Sequence, residues 1–355
     1  MKTNGRSVAT LRFGLVGTGR IAQTYAQAFS MTTNARLVAV SDSVPEAART
    51  FAEQARCQVF PSHLELAHSG AVDAVVIATP PGCHRPICLD FLRCGVPVLC
   101  EKPVSFRPEE ANEIRSAARA RHVLFTMASK FRYAEDVVRA RDMVDSGILG
   151  DIVLFENTFM SFVDMTSRWN SDRRISGGGV FIDNGTHSVD IMRYFIGPLC
   201  MIHAVEGPRL QRLPVEETIH ITARAAQGAI GRMDLSWSIT KQSDDYIVIY
   251  GSKGVLRVGW QGSFYRQLGR SQWVQFGNGY NKVQAFCDQI SNFSAAIQNL
   301  QPLTINADDA VASVAVIQAG YESLARDSWT PIPADDEASA ELPEVDTRAL
   351  DPAAA

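Results

Sequence analysis

The chain has 355 residues, of which 46% are hydrophobic and 20% are charged, a composition typical of globular proteins rather than disordered or fibrous ones. The formal net charge is only −4, which argues against nucleic acid or an anionic membrane as a partner and favours a small molecule. A length of 355 residues favours two domains.

The first residues, MKTNGRSVATLRFG, lack the apolar core of a signal peptide, and no later segment reaches the roughly 18 apolar residues of a membrane span. Seven cysteines are scattered without a CxxC pair, a pattern that indicates neither a disulfide framework nor a zinc site. We therefore expect a cytoplasmic protein with no membrane segment and no metal site.

Short apolar strands alternate with helices through the first part of the chain. The strand segments are LRFGLVG, ARLVAVSD, VDAVVIATP, VPVLCEKP and VLFTMAS, and the helices are predicted over 21–31, 45–54, 86–94 and 108–120. Strands this rich in apolar residues are typical of a parallel sheet that helices cover on both faces. We predict an α/β, Rossmann dinucleotide-binding domain over residues 8–129.

The second part has a different rhythm, because turns rather than long helices separate its strands. The strand segments are DIVLFENTFMSF, CMIHAVEG, IHITARAA, AIGRMDLSWSI, DYIVIYGSKG and GVLRVGW. With two helices predicted over 283–298 and 307–325, the pattern indicates an α/β domain with an open, mostly antiparallel sheet over residues 130–332. Residues 333–355 are acidic and rich in Pro and Ala, and are predicted to be a disordered tail.

The strand LRFGLV leads into a glycine-rich turn that opens a helix, which is the context of a dinucleotide-binding fingerprint. The first glycine permits the tight turn, the second lets the backbone approach a pyrophosphate, and the helix N-terminus offers it unpaired N–H groups. The predicted cofactor-binding residues in this turn are Gly17, Thr18, Gly19, Arg20 and Ile21.

Asp42 ends the second strand, where a carboxylate would bind the adenosine ribose hydroxyls of NAD and repel a 2′-phosphate. NAD is therefore the predicted cofactor. Ser43, the next predicted cofactor contact, and the nearby Arg49 leave the use of NADP possible.

Three further blocks resemble the Gfo/Idh/MocA oxidoreductase family in sequence and in order: VDAVVIATPPGCH (72–84), VPVLCEKPVSF (96–106) and GGGVFIDNGTHSVDIMRYFIG (177–197). The resemblance extends from about Arg12 to Pro331. It implies reversible hydride transfer on sugars, cyclitols or sugar nucleotides. It also implies a homo-oligomer, either a dimer or a tetramer, that associates through the open sheet of the second domain.

The resemblance also assigns site residues. Lys102 of the EKP motif is implied to lie between nicotinamide and substrate, and Asp183 and His187 of the D-x-x-x-H motif to face the reacting carbon. Pro81 stands where many members carry Asn. The remaining contacts implied for the nicotinamide side of the cofactor are Thr79, Pro80, His84 and Glu101.

Residue chemistry supports the same roles. Asp183 and His187 are four residues apart, so on a helix they share one face and can hydrogen-bond, and the glycine run 177–179 is predicted to let the backbone approach a ligand closely. His187 is the predicted base for the hydroxyl proton, because a His near its ordinary pKa suits neutral pH. Asp183 would orient its ring, and Lys102 would hold the substrate oxygen and offset its developing charge.

Polar and aromatic residues near the end of the last Rossmann strand and on either side of the glycine run are predicted to bind substrate in a cleft between the domains, where ligands commonly bind. These residues are Lys130, Arg132, Arg168, Trp169 and Asn184.

Three functions remain open from the sequence. The leading one is an NAD(P)-dependent dehydrogenase or ketoreductase of a sugar, cyclitol or sugar nucleotide. The second keeps the same site but oxidises a sugar transiently at C3, so that a glycosidic substituent is eliminated while the cofactor is retained. The third is an NAD(H)-binding sensor without catalysis, against which the presence of Lys102, Asp183 and His187 argues.

Overall fold

The computed structural model describes residues 9–334, which form a six-stranded and a nine-stranded sheet with their helices. The predicted tail, beyond residue 334, lies outside the described residues.

The first sheet is parallel throughout, with strand order β3-β2-β1-β4-β5-β6. The elements of this part are β1 (Leu11–Val16), α1 (Arg20–Met31), β2 (Ala35–Ser41), α2 (Pro45–Ala55), β3 (Gln58–Val59), α3 (His63–His68), β4 (Ala74–Ile77), α4 (His84–Arg93), β5 (Val98–Glu101), α5 (Pro108–Ala120) and β6 (Phe125–Ala128). All four residues of β4 are buried, as expected for a strand with helices on both faces. The strand order reverses between β1 and β4, and this places a ligand-binding crevice at the carboxyl ends of these strands. The predicted Rossmann fold is confirmed.

The second sheet has the order β14-β13-β12-β11-β7-β10-β9-β8-β15. The elements of this part are α6 (Glu135–Asp145), β7 (Ile152–Met160), α7 (Arg173–Ser176), α8 (Val180–Ile196), β8 (Leu199–Glu206), β9 (Thr218–Ala225), β10 (Ile230–Ser236), β11 (Asp245–Gly251), β12 (Gly254–Gly259), β13 (Ser263–Gln267), β14 (Val274–Gly277), α9 (Lys282–Ile297), α10 (Ala307–Arg326) and β15 (Thr330–Pro331). Strands β7 and β10 pair in parallel, and the other described pairs of this sheet are antiparallel. The predicted mostly antiparallel sheet is confirmed.

Helices α8 and α10 cover one face of the second sheet. In β9, Ile219 and Ile221 are buried on this face, and the alternating residues His220 and Thr222 point the other way. The outer face is left without helices in the described part of the chain. None of the helices between residues 9 and 334 has the length and apolarity needed to cross a membrane.

Two late helices also pack on the first sheet. Helix α9 lies against α1, with the ring of Phe286 edge-on to Tyr25 at a centroid distance of 4.8 Å. Helix α10 contacts α5 and β6 as well as β8. Sequence periodicity predicted both helices but could not show that α9 packs on the first sheet or that α10 bridges the two sheets.

Candidate active site

A cleft of about 1850 Å³ lies between the two sheets. One wall is formed by the carboxyl ends of the first sheet and the other by β7, the start of α8 and nearby loops. Pockets for one small ligand typically measure roughly 300–1,000 Å³, so this cleft has room for a dinucleotide and a second molecule. Across residues 9–334, no group of three or more His, Cys, Asp or Glu residues is arranged to hold a metal ion.

The turn between β1 and α1 forms the floor of one end of the cleft. Gly17 has a φ of +93°, and a Cβ at this position would lie 2.8 Å from the carbonyl of Ala78, so the turn requires glycine. Gly19 is the N-cap of α1, makes no side-chain cap, and has open space where a Cβ would be. Arg20 and Ile21 line the same surface. The exposed N–H groups of this helix start fit the pyrophosphate of NAD.

Asp42 is fixed beside this turn. Its Oδ2 accepts hydrogen bonds from the backbone N–H of Thr18 over 2.7 Å and from the Thr18 hydroxyl over 2.8 Å, and its Oδ1 accepts one from the N–H of Val44 over 2.9 Å. Burial opposes ionisation, but hydrogen bonds from Val44, Thr18 and Ser43 outweigh it and lower the pKa of Asp42. The site therefore offers an ionised, preoriented carboxylate, which fits the ribose of NAD.

Thr18 does not line the cleft, contrary to its predicted role as a cofactor contact. Both its backbone N–H and its hydroxyl are turned to Asp42, so it positions that carboxylate instead. Ser43 lines the cleft.

Thr79 and Pro80 line the opposite end of the dinucleotide-binding wall, and the Thr79 hydroxyl is buried with no hydrogen-bond partner among residues 9–334. His84 does not line the cleft, so its predicted cofactor contact is wrong. Its ring nitrogens lie 2.8 Å from the carbonyl oxygens of Thr79 and Pro103, and burial lowers the pKa of His84 to about 4. His84 therefore ties the Thr79 loop to the segment that follows Lys102.

Lys102 and Asp183 meet across the cleft. The Lys102 ammonium donates to Oδ1 of Asp183 over 2.6 Å and to its backbone carbonyl over 2.9 Å. The side-chain amide of Asn170 donates to the other carboxylate oxygen of Asp183 over 3.3 Å. Sequence reasoning missed Asn170, because no local motif marks it.

Glu101 lies behind Lys102 at the end of β5 and lines the cleft. Tyr25 donates its hydroxyl hydrogen to Oε1 of Glu101 over 2.8 Å, and the N–H of Lys102 donates to Oε2 over 3.3 Å. Burial raises the pKa of Glu101, although the charge of Lys102 and these hydrogen bonds oppose the shift. Tyr25, which the sequence analysis missed, thus holds a predicted cofactor contact in place from helix α1.

His187 is 7% exposed, lines the cleft, and packs edge-on to Phe131 with a centroid distance of 5.2 Å. Its Nδ1 has no hydrogen-bond partner among the described residues, so this nitrogen does not make the predicted hydrogen bond to Asp183. The Asp183 carboxylate instead accepts hydrogen bonds from Lys102 and Asn170. The expectation of an ordinary pKa is also wrong, because burial, followed by the charges of Lys102 and Lys130, lowers the pKa of His187 well below 6.5. The imidazole is neutral at pH 7.

Four of the five predicted substrate contacts line the cleft: Lys130, Arg168, Trp169 and Asn184. Burial, with the charge of Lys102 next in size, lowers the pKa of Lys130 to about 8. Arg132 is the exception. Its guanidinium is buried and bonds Asp190 over 3.0 Å and Asp309 over 3.3 Å, so it holds α8 and α10 together instead of meeting a ligand.

An aromatic surface that the sequence did not predict lies in the second wall. Its members Phe159, Trp237 and Trp260 come from separate strands or their ends. Only the folded sheet brings them together, so spacing along the chain carried no signal for them.

The glycine run 177–179 serves protein packing, not the close approach of a ligand that was predicted. A Cβ on Gly177 would lie 2.5 Å from the ring of Phe106, and one on Gly178 would overlap the hydroxyl of Tyr321. A Cβ on Gly179 would overlap the backbone carbonyl of Glu216. These glycines let neighbouring elements close around the start of α8.

The chain was compared with known protein families. Residues 11–129 match the model described as "Oxidoreductase family, NAD-binding Rossmann fold", and residues 137–257 match the model described as "GFO/IDH/MocA C-terminal domain". Together the two matches span more than half of the chain.

Individual proteins were compared in the same way. The chain is 26% identical to inositol 2-dehydrogenase of Rhizobium meliloti (strain 1021) over 338 residues, covering 89% of this chain and 97% of that protein. It is 25% identical to the rhizopine catabolism protein MocA of Rhizobium meliloti over 333 residues, covering 89% and 96%. A solved structure of levoglucosan dehydrogenase in complex with NADH and levoglucosan superposes with a TM-score of 0.84 at 20% identity, covering 91% and 99%, which establishes similarity of fold.

Proposed function

Because this chain belongs to the Gfo/Idh/MocA family of NAD-dependent oxidoreductases, we propose that it transfers a hydride between NAD and a secondary alcohol or ketone of a sugar or cyclitol. The observation that carries this proposal is the convergence at one cleft of Lys102, which follows a strand of the first sheet, with Asp183 and His187 of α8. The names of the similar proteins, inositol 2-dehydrogenase and levoglucosan dehydrogenase, support the substrate class. When bound, NAD supplies the hydride acceptor, and NADH the donor, at C4 of the nicotinamide.

The chain itself provides proton transfer and charge stabilisation. His187 is neutral and lines the cleft, so it can accept the proton of the substrate hydroxyl as the base. Lys102 is held by Asp183 within 2.6 Å and can donate to the substrate oxygen as negative charge develops there. Asp183 thus orients Lys102 rather than the ring of His187.

The second wall provides the substrate contacts. Trp260, which is 40% exposed, offers apolar ring surface to the C–H surface of a sugar or cyclitol. Lys130, Arg168 and Asn184 offer donors to its hydroxyl groups.

The test is a screen of cyclitols, aldoses, anhydrosugars and sugar nucleotides with NAD and NADP in parallel, followed by the absorbance of the reduced nicotinamide. We expect NADH to form with at least one compound and NAD to be preferred over NADP. Product formed without net NADH, on a tightly retained cofactor, would replace this proposal with transient oxidation and elimination. Tight NADH binding with no turnover across the panel would replace it with a sensor.

We also propose that copies of the chain associate through the outer face of the nine-stranded sheet. Ile230 of β10 pairs with Leu154 of β7, which pairs with Tyr250 of β11, so the three side chains form one row on that face. Ile230 is 46% and Tyr250 is 36% exposed. Sedimentation equilibrium is expected to give a dimer or tetramer that Ile230→Asp weakens, and a monomer at all concentrations would contradict this assembly.

A further inference from the structure

Glu216 lies at the start of α8, although it follows Gly179 by 37 residues in the chain. Its Oε1 accepts hydrogen bonds from the backbone N–H of Gly179 over 2.8 Å and of Phe181 over 3.1 Å. Its backbone carbonyl accepts a third from the N–H of Val180 over 2.9 Å. One buried residue thus satisfies three consecutive amides in the first turn of the helix.

Helix α8 has no cap of its own, because its N-cap is Gly179, which has no side chain to accept a hydrogen bond. The carboxylate of Glu216 supplies this cap from outside the helix, where negative charge also suits the helix dipole. Tyr321 of α10 donates its hydroxyl hydrogen to the same Oε1 over 2.7 Å. Glu216 therefore joins the start of α8 to α10 and to the segment that precedes β9.

The capped turn leads directly to the candidate catalytic side chains. The N–H of Asp183 donates to the carbonyl of Gly179 over 3.1 Å, and the Asp183 carboxylate meets Lys102 from the other sheet over 2.6 Å. His187 follows one turn later on the same helix. A tilt of the first turn would move both side chains relative to Lys102, and a displacement of about 1 Å can cost on the order of 100-fold in rate.

We propose that Glu216 is a positioning residue for hydride transfer, fixing the first turn of α8 so that Asp183 meets Lys102 and His187 faces the cleft. This inference rests on the proposed function, since it assumes that these three residues carry the reaction.

Asp136 provides a matched control. Like Glu216, it is a buried carboxylate that accepts two backbone N–H groups and one hydroxyl, here from Asn278 over 3.2 Å, from Gly279 over 2.7 Å and from Ser263. It does not line the cleft. The Asp136→Ala variant therefore measures how much stability is lost when such a buried carboxylate is removed away from the cleft.

The experiment compares Glu216→Ala, Glu216→Gln and Asp136→Ala by kcat, KM for NAD and NADH affinity from fluorescence titration, each normalised to NADH-binding sites. Glu216→Ala is expected to lower kcat by on the order of 10-fold to 100-fold with NADH affinity within about twofold. Glu216→Gln keeps an acceptor oxygen and is expected to recover most of that loss. Asp136→Ala is expected to lower the unfolding midpoint but to keep kcat.

An unchanged kcat in Glu216→Ala, or an equal loss of kcat in Asp136→Ala, would overturn the inference. If Glu216→Ala gives no folded protein, Tyr321→Phe takes its place, because it removes one partner of the same oxygen. Its kcat must then fall severalfold at unchanged NADH affinity, and an unaltered kcat rejects the positioning role.

Failure of the proposed function is distinguishable from failure of this inference. If the wild type transfers no hydride to or from any compound of the panel, the positioning is measured without turnover, in protein labelled with ¹⁵N-histidine. The His187 ring signals, identified by their loss in His187→Asn, are expected to shift in Glu216→Ala and to stay in place in Asp136→Ala. Unmoved His187 signals in Glu216→Ala would reject the inference.

Discussion

Lys102 Nζ lies 2.6 Å from Oδ1 of Asp183, although 81 residues separate them in the chain. The lysine comes from the end of a strand in the parallel sheet, and the aspartate from a helix that covers the other sheet. This contact therefore spans the cleft and couples the dinucleotide-binding wall to the wall that carries His187. Removing either residue leaves the half-buried charge of the other without its partner. Replacing either one by an apolar residue is therefore expected to cause loss of function.

Asp42 is expected to set the preference for NAD. Hydrogen bonds to a charged group contribute about 1.5–3 kcal/mol, so Asp42→Ala is expected to lower kcat/KM for NAD by roughly 10-fold to 100-fold. The same change removes the charge that repels a 2′-phosphate and raises the relative use of NADP. The measurement is the ratio of kcat/KM for the two cofactors. Asp73→Ala, which removes an ion pair with Arg12 outside the cleft, is the control, and an unchanged ratio in Asp42→Ala would contradict this role.

His187 is expected to act as a base that remains unprotonated in mildly acidic solution. Burial lowers its pKa well below 6.5, and a base is active in its unprotonated form, so activity is retained as the pH falls through 6.5. The acid limb of kcat/KM for the wild type should therefore lie below pH 6.5. His187→Asn is expected to lower kcat by roughly 100-fold to 10,000-fold. His203→Asn, whose ring stacks on Trp329, is the control, and an acid limb at or above pH 6.5 would count against the assignment.

Arg132 is expected to matter for stability and not for substrate affinity. Its removal leaves Asp190 buried without a charged partner, which typically costs about 3–5 kcal/mol in free energy of unfolding. Arg132→Ala should show this loss in urea unfolding, with KM for the substrate unchanged in the folded fraction. Arg49→Ala, which breaks an exposed pair with Glu46, should change stability little. A raised KM without loss of stability would restore the substrate-binding role.

Local motifs predicted the parts of the site that the local backbone dictates. The positive φ at position 17 requires glycine. Asp42 was predictable as a cofactor contact because it stands at the end of a strand, at a fixed distance from the turn. The periodicity of apolar residues predicted the strands and helices of both parts. A strand buried on one face or on both faces has a recognisable pattern of apolar residues in the sequence. The order of the family blocks brought Lys102 into the same prediction as Asp183 and His187.

Errors occurred where a side chain meets a distant partner. Thr18, His84 and Arg132 were predicted to meet ligands, but each bonds another part of the protein. Asn170 and Tyr25 were missed because their partners are 13 and 76 residues away. Sequence spacing within one helix or turn carries no information on such contacts, which arise only when separate segments of the chain fold together.

The central claim is that Lys102 takes part in hydride transfer, and single-turnover kinetics test it most directly. Enzyme saturated with NAD is mixed with a substrate from the screen, and the rate of NADH formation is compared among the wild type, Lys102→Met and Lys253→Met, an exposed lysine in the turn between β11 and β12. In Lys102→Met we expect this rate to fall by on the order of 100-fold to 1,000-fold with NADH affinity retained, and in Lys253→Met we expect the wild-type rate. Hydride transfer at the wild-type rate in Lys102→Met would contradict the proposed role of Lys102.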